Sequence, residues 1–280
     1  MKNIIKSRIK LLIVLIGAVM LMGSCEYDLI KDAPYPEQLI YMPAAIYNNY
    51  MINFVPAAVG AVPTPGYPFR FTVDTIARKF NVLLGAYRSG IDLKGAFTID
   101  IAVNTDTINQ LLSIAGKLPV GTLLLPSGKF SVLTSVEMKD GAELAKFDLV
   151  IDLDYLLANY PAQSFAIAVG ISSMARKTNP MYATTIVVID TKIMKPSASF
   201  KSAPSGSDPR TINFTNTSLY GTKFIWDFGD GTPKKTTTTA KNEAVSHTYA
   251  AAGTYTTTLI VQGVGDFADK SLKTAELVIP

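Results

Sequence analysis

The chain has one cysteine, Cys25, and one histidine, His247, so the side chains most used in catalysis are nearly absent. A disulfide framework needs a second cysteine, a cysteine zinc site needs more, and a histidine relay would rest on His247 alone, with no nucleophile beside it. Asp148, Asp152 and Asp154 offer the carboxylates that glycoside hydrolysis requires, an acid and a base or nucleophile at a controlled separation. They alternate with Phe147, Leu149, Ile151 and Leu153, however, which puts all three on the solvated face of one strand. Asp227 and Asp230 are oxygen donors for a cation, but calcium takes about six to eight oxygens and two carboxylates around a glycine lack the spacing of a calcium loop. Turn hydrogen bonding is their expected role. No catalytic residue, metal site or cofactor is expected. The tyrosine-rich stretch Tyr35, Tyr41, Tyr47, Tyr50, Phe54 and Tyr67 offers rings with an apolar face and a polar edge, suited either to stacking on sugars or to a core. Tyr41 is expected in the core; Tyr47, Tyr50, Phe54 and Tyr67 are the candidate ligand-binding residues, in a proline-rich stretch that reads as long loops.

These residues need a fold to position them. The 280 residues are 48% hydrophobic and 17% charged, enough for one large domain or two ordinary ones and against disorder. Four of the 26 basic residues (Lys2, Lys6, Arg8 and Lys10) precede Cys25 and none of the 22 acidic ones does, so the chain from Cys25 onward carries 22 of each. That balance removes the electrostatic case for nucleic acid. After the basic start come twelve largely apolar residues, Leu11 to Met22, then Gly23, Ser24 and Cys25, which is the order of parts of a signal peptide. The apolar run falls short of the roughly 20 residues of a membrane-spanning helix. The cysteine at the cleavage point resembles the lipobox of bacterial lipoproteins, with Met22 where that family usually has leucine. The resemblance implies removal of residues 1–24, acylation of Cys25 and a lipid anchor in an outer membrane. Glu26 and Asp28 resemble the acidic tether of surface-exported lipoproteins of Gram-negative gut anaerobes, and Pro34 and Pro36 suit an extended tether over residues 25–38.

From Leu39 to Ile193 the dominant pattern is period-two alternation in short runs, the mark of half-buried strands. Tyr67, Phe69, Phe71 and Val73 share one face, as do Phe97, Ile99, Ile101 and Val103. Phe165, Ile167, Val169 and Ile171 alternate with small residues whose side can pack closely on another layer. One short helix interrupts the pattern: Thr105 can cap Asp106 to Ala115, with Ile108, Leu111 and Leu112 spaced for one buried face. Together with an opening strand Leu39-Ile40-Tyr41, a Leu-Pro-Ser-Gly turn at Leu125 to Gly128 and a closing strand Ile186 to Asp190, the arrangement resembles the N-terminal domain of surface lipoproteins of starch-utilisation-like systems. The resemblance implies an immunoglobulin-like sandwich that spaces or holds glycan.

Lys195 to Ala198 mark a boundary, and residues 196–280 follow a different pattern. Phe224, Trp226 and Phe228 share a strand face, and each ring can remove roughly 150–250 Å² from water between two sheets. Asp230-Gly231 is a tight-turn pair. The runs Phe224-Ile225-Trp226-Asp227-Phe228-Gly229-Asp230-Gly231, Ser246-His247-Thr248-Tyr249 and Ala252-Gly253-Thr254-Tyr255 resemble the polycystic kidney disease domain, a small β-sandwich of bacterial surface and secreted proteins. Trp226, Asp227, Gly229, Asp230, Gly231, His247, Tyr249, Gly253 and Tyr255 then carry structure, with His247 and Tyr249 tying down a turn through hydrogen bonds. The expected fold is all-β: two tandem immunoglobulin-like sandwiches over residues 39–193 and 196–280, the first with one short helix, behind a lipoprotein signal peptide. The expected function is non-catalytic: a cell-surface protein that binds or presents polysaccharide within a polysaccharide-utilisation system, with a structural or adhesive spacer contacting a protein partner as the alternative.

Overall fold

The computed structural model describes residues 37–53, 71–206, 208–237, 244–264 and 270–280. The leader, Cys25, the tether and the segment holding Phe54, Tyr67 and Phe69 lie outside the described residues. From Gln38 to Pro280 the chain forms one compact unit.

The strands up to Met194 are β1 (Leu39–Tyr41), β2 (Tyr50–Ile52), β3 (Phe71–Asp74), β4 (Lys79–Arg88), β5 (Phe97–Val103), β6 (Thr122–Leu124), β7 (Phe130–Ser131), β8 (Ser135–Met138), β9 (Leu144–Asp152), β10 (Ser164–Ser172), β11 (Lys177–Thr178) and β12 (Thr184–Asp190). They form two sheets, β11-β1-β4-β9-β7 with β3 on β4, and β2-β12-β10-β5-β8 with β6 on β10. Alternation explains how they face each other. Phe80, Val82 and Leu84 of β4 and Phe147, Leu149 and Ile151 of β9 point inward from one sheet; Ile99, Phe165, Ile167, Val169, Val187 and Ile189 point back from the other, all within one buried cluster. The long central pair β4 and β9 runs antiparallel from Lys79 opposite Asp152 to Tyr87 opposite Leu144.

The small side of β10 does pack on another layer. Helix α1 (Thr105–Leu112) lays Ile108 over Ala166, Ala168 and Val188, where larger side chains would hold it off the sheet. Its cap is Asn104 and not Thr105: the Asn104 side chain accepts the Thr107 N–H, and the helix stops at Leu112, whose side chain is exposed. A second helix was not expected. At Asp152 the chain leaves β9 and turns into α2 (Leu153–Ala158), with Asp152 as cap and Leu153 and Leu156 buried. Leu153 and Asp154 therefore belong to a helix, not to the strand whose alternation they continue. Tyr41 is also displaced from its expected place: in β1 Ile40 is the buried residue, and Tyr41 lies on the outer face against Tyr87, at 5.9 Å between ring centroids.

Beyond Met194 come β13 (Phe200–Ser205), β14 (Asp208–Asn216), β15 (Lys223–Asp227), β16 (Lys235–Thr237), β17 (Ala244–Thr248), β18 (Gly253–Gln262) and β19 (Lys270–Ile279). They make sheets β13-β14-β17 and β16-β15-β18-β19 around a separate cluster containing Phe200, Phe214, Phe224, Trp226, Phe228, Leu259 and Val261. The all-β expectation of immunoglobulin-like sandwiches holds, with two α-helices in place of one among the described residues.

Candidate functional site

The C-terminal motif residues form one connected network. Trp226 is fully buried between the sheets. The Asp227 carboxylate accepts the Gly229 N–H at 3.1 Å and pairs with Lys234 Nζ at 3.0 Å. Asp230 accepts from the Thr232 N–H and hydroxyl, and its other oxygen lies 2.7 Å from His247 Nε2, where an ionised carboxylate accepts the ring N–H. His247 stacks flat on Phe228 at 3.9 Å and meets Tyr249 edge-on. The Tyr249 hydroxyl donates to the Phe228 carbonyl and lies 2.9 Å from the Thr257 hydroxyl. Tyr255 stacks on Tyr249 and donates to the Ala251 carbonyl, two residues before Gly253 opens β18. His247 and Tyr249 thus tie down the Asp-Gly turn after β15, whereas the turn before Gly253, expected to be theirs, is bridged by Tyr255; the buried Trp226 Nε1 has no hydrogen-bond partner among the described residues.

Of the candidate sugar-stacking residues, the structure brings Tyr47 and Tyr50 together, with centroids 5.9 Å apart, but only Tyr47 reaches solvent, at 37% exposure. Tyr50 is a correction: it is fully buried, because it falls on the inward phase of β2 where that strand pairs with Val187 of β12. Phe54 and Tyr67 lie outside the described residues.

The three aspartates have separate roles. Asp148 stands exposed on the outer face opposite Leu83. Asp152 accepts the Tyr155 N–H and pairs with Lys129 Nζ at 3.0 Å; the hydrogen bond from Lys129, with that from Tyr155, holds its carboxyl below the usual range. Asp154 accepts from Arg78 Nε at 3.0 Å and from the same guanidinium's Nη2. Two of the carboxylates therefore hold cations in place.

Those cations rim an open cleft of about 420 Å³ at one end of the first sandwich, lined among others by Arg78, Lys79, Lys129, Phe130, Ser131 and Asp152. Local sequence builds it. Asp74 accepts the Ile76 and Ala77 N–H groups and so closes the β3–β4 turn, which sets Arg78 at φ +55° just before β4. On the other side the Leu-Pro-Ser-Gly turn, with Gly128 at φ +83°, delivers Lys129 and Phe130 to the edge strand β7. Lys129 is steadied by Asp152 and by the Tyr155 ring, 5.4 Å below its ammonium. Sequence reasoning reached the turn and Asp152 but not the site, because its parts come from three segments that only the register of β4, β7 and β9 brings together. The arrangement offers hydrogen-bond donors and a hydroxyl in a shallow groove, with Phe130 packed beneath against the first core. Among the described residues no group of three or more His, Cys, Asp or Glu is placed to hold a metal ion, and no helix is long and apolar enough to cross a membrane.

Comparison with known proteins gives limited matches. No curated protein sequence matches the chain. Among solved structures, the PKD1 domain of the Vibrio cholerae metalloprotease PrtV is 27% identical, over 30% of this chain and 96% of that one, with a TM-score of 0.25. A protein of unknown function from Bacteroides ovatus is 10% identical, over 88% of this chain and 75% of that one, with a TM-score of 0.37. An auxiliary nutrient binding protein from Bacteroides thetaiotaomicron is 15% identical, over 70% of this chain and 62% of that one, with a TM-score of 0.33. Residues 194–279 match the PKD domain family, which is the segment whose aromatic strand, Asp-Gly turn and His247–Tyr249 pins are described above.

Proposed function

We propose that this chain is a non-catalytic, lipid-anchored protein of the outer membrane that faces the cell exterior and holds polysaccharide for an uptake system. The observation that carries the reading is the open cleft at the end of the first sandwich. Its shallow shape, its donors and the Ser131 hydroxyl suit a polymer with many hydroxyls. The leader ending at Cys25 supports the anchor, since several acyl chains bury methylenes at about 0.8 kcal/mol each. Function then follows from effective concentration: a tethered binder of modest affinity keeps polymer near a transporter without altering it. The PKD-like sandwich serves as a rigid neighbour, its polar motif residues being committed to its own turn. Two measurements test the reading. Cys25→Ser is expected to move the protein out of the membrane fraction. Titration calorimetry of the chain from Glu26 to Pro280 is expected to show saturable binding to at least one oligosaccharide series; a folded protein that binds none would leave only a spacer role.

A further inference from the structure

We infer that the cleft selects sugars bearing an anionic group, a carboxylate or a sulfate on the ring. This rests on the polysaccharide-binding reading and specifies its ligand. Three cations, Arg78, Lys79 and Lys129, line the cleft; Asp154 and Asp152 balance two of them, so the site carries a net excess of one positive charge, at Lys79. The chain from Cys25 onward is balanced in charge, so this excess is local. Two of the cations are fixed before any ligand arrives. Lys129 is held between Asp152 and the Tyr155 ring, and Arg78 by Asp154, so an arriving anion meets charges whose side-chain freedom is already lost. Both remain accessible, with 41% of the Lys129 side chain and 34% of the Arg78 side chain exposed.

The backbone at Arg78 is the second observation. Its φ of +55° is the left-handed region, which costs a side-chain-bearing residue about 1 kcal/mol and which glycine adopts freely. That turn position, closed by the Asp74 hydrogen bonds, places a long cation at the mouth of the cleft. Ser131 next to these charges supplies a hydroxyl for the rest of the sugar. Charge-assisted hydrogen bonds to a carboxylate or sulfate are roughly twice as strong as neutral ones, so one such contact per sugar residue is enough to set preference.

Affinity electrophoresis of the chain from Glu26 to Pro280, which contains the whole compact unit, tests this at physiological salt. Polygalacturonate supplies the carboxylate arm, dextran sulfate the sulfate arm, and amylose and dextran the neutral arm. Retardation by either acidic polymer is expected. The double variant Lys79→Gln with Lys129→Gln is expected to weaken it about tenfold or more. The single variant Lys79→Gln, which leaves the Lys129–Asp152 pair intact, is expected to weaken it by a smaller factor. Retardation by neutral polymers alone overturns the inference while leaving polysaccharide binding standing. Acidic retardation unchanged in the folded double variant overturns it by moving the site elsewhere. No retardation by any polymer removes the binding reading itself.

Discussion

Arg88 ends β4 at a position where alternation asks for an apolar side chain, and it is nonetheless 1% exposed. Its guanidinium donates to four main-chain carbonyls, those of Ala142, Lys94, Gly95 and Lys139, and so fastens two loops to the sheet. Each buried acceptor left without a donor costs about 1–3 kcal/mol, so Arg88→Met is expected to destabilise the protein by about 4 kcal/mol or more in urea unfolding. Arg88→Lys cannot reach all four carbonyls and is expected to fall between the two. Asp230 makes a pH prediction. Burial pushes its carboxyl up, but hydrogen bonds from Thr232 and His247 outweigh that and hold it below its ordinary value; the hydrogen bond from Lys234, with that of the Gly229 N–H, does the same for Asp227. A carboxyl whose folded value lies below its unfolded value of about 3.9 stabilises the fold above that pH and ceases to do so as pH falls through the folded value. Unfolding midpoints measured from pH 6 to pH 2.5 are therefore expected to fall steeply at the acid end. Asp230→Asn is expected to start lower and fall less, and an unchanged slope in that variant would contradict the assignment.

Among the elements, the turn after β15 separates two glycines that look alike in sequence. Gly229 and Gly231 both have positive φ, at +79° and +83°. An added Cβ at Gly229 would come within 2.4 Å of the Thr256 carbonyl oxygen, whereas at Gly231 it meets open space. Gly231→Ala is expected to cost about 1 kcal/mol from backbone strain, and Gly229→Ala about 2–4 kcal/mol because β18 must also move. Thermal unfolding of the two variants checks the order. The C-terminal strands, their inward aromatics and the Asp-Gly turn were legible because period-two alternation and Asp-Gly chemistry are local signals. Alternation misled where a strand ended early: Leu153 keeps the phase of β9, but Asp152 accepts the Tyr155 N–H and starts a helix instead. It misled again at β1, where three residues give no phase and Tyr41 and Ile40 are equally good candidates for the core. The cleft was illegible for a different reason. Arg78, Lys129 and Asp152 are distant in sequence and meet only through sheet register, which no single segment encodes.

At the scale of the described molecule, the chain enters the first sandwich beside Ser89, at the far end of β4, and leaves past Asp190 at the other end of the strands. The cleft lies at the leaving end, where Lys79 faces Asp152. The junction beyond it is packed: Tyr220 and Val264 of the C-terminal sandwich lie against the first core, and Lys195 sits 5.1 Å over the Tyr160 ring. Burial raises the Tyr220 hydroxyl's pKa, with Asp190 and Tyr160 adding to it. Calorimetric unfolding is expected to show one coupled transition for the wild type and two separated ones for Tyr220→Ala, since the two buried clusters are otherwise distinct. The central claim is capture of polysaccharide without chemistry. Its most direct test is incubation of the folded chain from Glu26 to Pro280 with a panel of acidic and neutral polysaccharides, following electrophoretic retardation and the appearance of new reducing ends in the same samples. Saturable retardation by one class of polymer with no new reducing ends is the expected result; either no retardation by any polymer or a steady release of reducing ends would contradict it.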